Sequence, residues 1–108
     1  MRWSRKQKGP IDPYVPRWGE VVLTGFDPMN ELCYQEVLSY EEYYEEVGHV
    51  FDSAESIAKH GIRRLHLVIW DSMGRIQKEA ENEYDANGFG VAGRRRDRPD
   101  QPWVEDKD

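Results

Sequence analysis

The residues best suited to chemistry in this 108-residue chain are its three histidines, its single cysteine and its 21 acidic residues. A zinc or iron site needs three or four His, Cys or carboxylate ligands at short, regular spacing. None of the candidate pairs has the i, i+4 spacing of a helical metal motif. We therefore predict no metal site, although the candidate ligands would be Cys33, His49, Asp52, His60 and His66.

The sequence also does not indicate nucleophilic or phosphate-binding chemistry. Cys33 lies in acidic surroundings, which disfavour the thiolate that a reactive cysteine needs. Gly88-x-Gly90-x-x-Gly93 has the spacing of a phosphate-binding loop, but it follows a polar stretch and precedes Arg and Pro instead of a helix. That context favours a flexible linker. We predict that the protein is not an enzyme and holds no cofactor.

An acidic block occupies the middle of the chain. Residues 20–55 contain ten acidic residues and no Lys or Arg. Within this block, residues 40–47 predict a helix, because three tyrosines and a valine share one face and four glutamates take the other. A glutamate-rich face is common on solvated helices, but it also suits a basic protein groove that normally binds phosphates. The predicted partner-binding residues are Tyr40, Glu41, Glu42, Tyr43, Tyr44, Glu45 and Glu46.

A basic run near the end of the chain is the second charged feature. Arginine-rich segments bind nucleic acid through its phosphates. Asp97 interrupts the run and Asp100 follows it, which weakens this interpretation. The run could instead keep the tail soluble or contact the acidic block, within one copy or between copies. The arginines that would bind nucleic acid in this alternative are Arg94, Arg95, Arg96 and Arg98.

Several segments predict the elements that hold these residues. Prolines at every third position predict an extended arm over residues 9–17. Residues 31–38 fit an alternating strand, although a helical stripe is also compatible with them. Ser39-x-x-Glu42 and Asp52-x-x-Glu55 are capping patterns that predict two short helices, the first ended by Gly48 and the second by Gly61. The other predicted strands are 20–26, 64–70 and 75–79, the last as an edge strand.

This order of elements predicts an α+β fold. We expect a small antiparallel sheet of about four strands with two short helices on one face, an extended N-terminal arm and a mobile C-terminal tail. The predicted domain organisation is a basic proline-rich arm at 1–17, a single α+β domain at 18–80 and a flexible arginine-containing tail at 81–108.

Charge and hydropathy limit the function. The net charge is −6, and no apolar run approaches the roughly 20 residues that cross a bilayer. We expect neither a membrane partner nor a secretory signal. We expect a cytoplasmic location. These features predict a small acidic protein that binds a basic protein surface or a nucleic-acid-binding protein. Such a protein could be a phage or mobile-element inhibitor that blocks a nucleic-acid-handling complex. The alternatives are a nucleic-acid or ribonucleoprotein component and a virion or other structural subunit, and a second copy of the chain is a further candidate partner.

Overall fold

The computed structural model describes residues 10–47 and 53–105. In these ranges, six strands form one antiparallel sheet in the order β2-β1-β3-β4-β5-β6. β1 lies inside the sheet because five of its seven residues are buried and none is charged after the first. The strands are β1 (Glu20–Phe26), β2 (Leu32–Ser39), β3 (Arg64–Trp70), β4 (Ile76–Tyr84), β5 (Gly90–Arg96) and β6 (Val104–Glu105).

Two short helices accompany the sheet. Helix α1 (Tyr40–Glu42) continues as a π-helical segment, Tyr43–Val47, and helix α2 spans Ala54–Lys59. The predicted capping box at Ser39 is confirmed, because the Ser39 hydroxyl accepts from the Glu42 amide at 3.2 Å and the Glu42 carboxylate accepts from the Ser39 amide.

Helix α2 begins one residue later than its capping pattern predicts. Ser53 is its N-cap and accepts from the Ser56 amide at 3.4 Å. The predicted cap Asp52 and the predicted stop Gly48 lie outside the described residues. His60 is the C-cap, and Gly61 follows it with a φ of +71°, which glycine adopts at little cost.

The predicted α+β fold with about four strands is wrong, and so is the mobile tail that belonged to it. The segment predicted as an edge strand lies inside the sheet as β4, between β3 and β5. Residues of the expected tail complete β4 and form β5 and β6. These strands lack an apolar pattern because their pairing brings opposite charges together: Glu79 lies across from Arg96, and Glu81 across from Arg94.

The main hydrophobic core lies on one face of the sheet. Side chains of β1, β2 and β3 pack there beneath Ile57 of α2 and Ile62 of the loop that follows it. Burying each large aliphatic side chain contributes about 1.5–3 kcal/mol, so this face supplies most of the apolar stabilisation. The buried side chains are Val21, Leu23, Tyr34, Leu38, Ile57, Ile62, Leu65 and Ile69.

The opposite face carries a smaller apolar cluster and is crossed by the described part of the N-terminal arm. Val22, Val68 and Trp70 form this second cluster. The Ile11 backbone exchanges two hydrogen bonds with the Gln35 side chain, at 2.7 and 2.8 Å. The Trp70 indole N–H donates to the Pro13 carbonyl at 3.2 Å. The arm therefore binds the face opposite to the one that carries the helices.

Candidate functional site

Two tyrosines of the predicted acidic helix hold it against the sheet. Tyr40 and Tyr43 pack against the main core. The Tyr40 hydroxyl also donates to the side chain of Gln77, the second residue of β4. These contacts fix a segment that is too short to be stable as an isolated helix. They hold its outer surface at one end of the sheet.

Tyr44 departs from the face that the helical spacing predicts for it. Its side chain is 59% exposed, whereas Tyr40 and Tyr43 are half-buried. The change of winding after Glu42 accounts for this, because a π turn holds more residues than an α turn and shifts every later side chain around the axis. The Tyr44 ring meets the Tyr43 ring edge-on, with centroids 5.0 Å apart.

The glutamates of this segment point to solvent. Glu41, Glu42 and Glu45 are exposed, and within the described residues none of them takes part in an ion pair. Glu42 is committed to the capping box, but Glu41 and Glu45 carry no structural contact there. The side chain of Glu46 lies outside the described part of the chain. We define the acidic face as Glu41, Glu42, Tyr44 and Glu45.

A buried carboxylate, Glu79, organises the other face of the sheet. It is fully buried and accepts from Arg96 Nε at 2.8 Å, from His66 Nε2 at 2.6 Å and from the Tyr14 hydroxyl. Burial by itself raises the pKa of Glu79, but the hydrogen bonds from these three donors outweigh it, so its pKa lies below the ordinary value. Burial and the neighbouring carboxylate together raise the pKa of Tyr14 to about 12.

A second carboxylate on the same strand repeats this arrangement. Glu81 is 8% exposed and accepts from Arg64 at 2.7 Å and from two nitrogens of Arg94, at 2.7 and 3.1 Å. Burial raises the pKa of Glu81, and the two guanidinium groups more than reverse this effect, so the carboxylate stays charged. We call the interactions centred on Glu79 and Glu81 the charge ladder.

Trp103, directly before β6, lies against the two β5 arginines of the charge ladder. Its ring lies 4.3 Å from the Arg94 guanidinium carbon and 4.1 Å from that of Arg96. Cation–π contacts of this kind are worth about 0.5–2 kcal/mol each. Two of the four arginines predicted to bind nucleic acid therefore bind carboxylates and an indole of their own chain. The other two, Arg95 and Arg98, are exposed.

The remaining candidates for chemistry are the histidines and Cys33. In the described ranges, no group of three His, Cys, Asp or Glu residues is placed to hold a metal ion. His60 Nδ1 lies 2.8 Å from the Ser56 carbonyl, and His66 belongs to the charge ladder. His49 lies outside the described residues. Burial, followed by the charge of Asp27, raises the pKa of the Cys33 thiol, which keeps the thiol protonated.

Sequence reasoning missed the charge ladder, although one signal could have revealed it. Glutamates at 79 and 81 and arginines at 94 and 96 alternate with a period of two, as strand residues on one face do. The turn residues 85–88, between two such segments, would have suggested a hairpin with opposite charges paired across it.

Comparison of the chain with known proteins finds no matching family model, curated protein or solved structure. Among the residues that the structure describes, no helix is long and apolar enough to cross a membrane.

Proposed function

We propose that the protein binds a basic protein surface through its acidic face. One observation supports this proposal above the others: Arg94 and Arg96 are paired with carboxylates of the sheet, while Glu41 and Glu45 remain exposed. These two arginines are thus used within the sheet, and the exposed glutamates stay available for contact with another molecule. Exposed like charges on neighbouring helical positions cost stability, which a binding role would offset.

The chemistry of the face selects the kind of partner. Carboxylates beside an exposed aromatic ring complement a groove that holds arginine or lysine and normally receives phosphates and bases. We propose a protein of a nucleic-acid-handling complex as the partner, with this chain acting as its inhibitor. A phage or mobile-element origin and a cytoplasmic location are part of the same proposal, because such a complex works on intracellular nucleic acid.

The test is capture of the partner from native lysate by the tagged full chain. Glu41→Lys with Glu45→Lys reverses the two glutamates that make no structural contact, and it spares the capping glutamate Glu42. A matched control, Glu31→Lys with Glu83→Lys, changes two exposed glutamates elsewhere and alters the net charge by the same amount. We expect the first variant to lose the captured protein and the control to retain it. Equal capture by both variants would refute the proposal.

Competition with added nucleic acid tests which surface of the partner binds the acidic face. If the partner uses a phosphate-binding groove, added DNA or RNA should displace it from the acidic face, and rising salt should weaken capture steeply. Capture that is insensitive to both nucleic acid and salt would contradict a partner that binds the acidic face through a phosphate-binding groove, even if the acidic face is required for capture.

The alternative of direct nucleic-acid binding through the arginine run is less well supported. Arg94 and Arg96 would have to leave Glu81 and Glu79, and each of these buried carboxylates would then lose a cationic partner, which costs stability. We therefore expect no mobility shift of DNA or RNA at moderate salt. A shift that Arg95→Gln with Arg98→Gln removes would favour this alternative.

A further inference from the structure

An apolar groove with two arginines lies on the sheet face opposite to the acidic helix. It has a volume of about 370 Å³ and is formed where the β3–β4 turn approaches residues 98–100. Trp70, which belongs to the second apolar cluster, provides an apolar wall together with Ile76 and Pro99. Arg75, Arg98 and Asp100 provide its charged rim.

The two rim arginines are available to another molecule. The Arg75 side chain is 74% exposed, and its only ion pair in the described residues is a long one, 3.8 Å from Nε to Asp71 Oδ2. Exposed pairs of this kind are worth little. Arg98 is exposed and forms no ion pair within the described part of the chain. The groove therefore combines an apolar wall with two guanidinium groups that an anion can reach.

The acidic face carries the complementary pattern. Tyr44 is an exposed ring in the same short helical segment as the exposed carboxylates of Glu41 and Glu45. In one molecule this helix packs on the main core, on the face away from Trp70. A second copy can bring the two surfaces together with opposite charges facing each other.

We propose that two copies of this chain associate, with the acidic face of one copy seated in the Trp70 groove of the other. Two such contacts related by a two-fold axis close the assembly as a dimer. This inference goes beyond the proposed function, because it assigns an occupant to the groove and makes self-association compete with the basic partner for the same glutamates. Binding of that partner would then release a monomer.

The test is the molar mass of the full chain by light scattering over a concentration series, at low and at high salt. We expect a mass near twice 12.7 kDa at low salt and high concentration, and a fall towards 12.7 kDa as salt is added. Arg75→Glu with Arg98→Glu, and separately Glu41→Lys with Glu45→Lys, should each be monomeric. A 1:1 mixture of these two variants should recover a complex, because one contact then joins unmodified surfaces and the other joins reversed charges.

Two controls keep the result interpretable. Lys59→Glu with Lys78→Glu reverses two exposed cations outside the groove and should leave the association unchanged. Arg75→Gln with Arg98→Gln removes the charge without adding repulsion and should weaken association in the same direction, which protects the test if the reversal variant does not fold.

The outcomes separate this inference from the proposed function. A monomer at every concentration, or a mixture of variants that stays monomeric, overturns the dimer. Partner capture is measured independently and should survive Arg75→Glu with Arg98→Glu, because the groove is not part of the acidic face. Absence of a dimer of the unmodified chain, with capture intact, refutes only the inference, whereas capture that does not depend on Glu41 and Glu45 refutes only the proposed function.

Discussion

Glu79→Gln removes the most deeply buried charge of the fold while preserving the size of the side chain. Deleting one partner of a buried ion pair costs about 3–5 kcal/mol, because the remaining charge loses its counterion. The Arg96 side chain is only 16% exposed and would face a neutral amide, whose carbonyl oxygen still accepts one hydrogen bond. We therefore expect a loss of about 2–4 kcal/mol in the free energy of unfolding, which lowers the Tm by roughly 10–20 °C.

Urea and thermal unfolding of the full chain measure this loss. Glu83→Gln is the matched control, since it makes the same change on the same strand at an exposed position. Its free energy of unfolding should stay within about 0.5 kcal/mol of the wild type. Equal stability of the two variants would refute the view that paired charges hold β4 and β5 together.

The pH dependence of the free energy of unfolding tests the charge of Glu79 independently. The pKa of Glu79 in the folded chain lies below the ordinary value of 4.5, so its contribution is fully present above pH 4.5. That contribution disappears as the pH falls through the folded pKa. The stability difference between Glu79→Gln and the wild type should therefore shrink below pH 4.5, and a difference that grows in acid would contradict the assigned charge state.

Two further predictions concern backbone packing and the arm. Gly88→Ala should lower the Tm strongly, because φ is +86° and the new Cβ would lie 1.8 Å from the Ala54 carbonyl oxygen. Gly90→Ala is the control: its Cβ meets no atom within 4 Å, so thermal unfolding should show almost no change. Ultraviolet titration should show a tyrosine that ionises near pH 12 and that is missing in Tyr14→Phe. The free energy of unfolding of this variant should also fall by about 1 kcal/mol, because its hydrogen bond to Glu79 is lost. A normal titration of every tyrosine would contradict the placement of the arm.

Apolar and capping patterns made part of this fold predictable. β1 and β3 follow from β-branched and apolar runs, and the start of α1 follows from the capping box at Ser39. The strand at β2 was predicted with a helical alternative, and its pairing with β1 settles the choice. In each case a local signal and the burial of the segment agree.

The second half of β4, and all of β5 and β6, could not be found from apolar periodicity because pairing of opposite charges contributes to their stability. β4 and β5 contain few large apolar residues, and their partners are far apart in sequence: Glu79 and Arg96 become neighbours only when the hairpin forms. Composition alone made this region resemble a solvated tail. The site shows the same limitation, since the helical spacing of Tyr44 does not reveal the π winding that turns its ring outward.

Arg94 and Arg96 are committed to Glu81 and Glu79, and this pairing leaves the acidic face open. The guanidinium Nε–H signals of these two arginines, measured by NMR in the full chain, test it directly. We predict that Glu41→Lys with Glu45→Lys leaves both signals unchanged, and that Glu79→Gln shifts the Arg96 signal and speeds its exchange with solvent. A shift of either arginine Nε–H signal in the Glu41→Lys, Glu45→Lys variant would show that these arginines contact the acidic face, which would contradict this pairing.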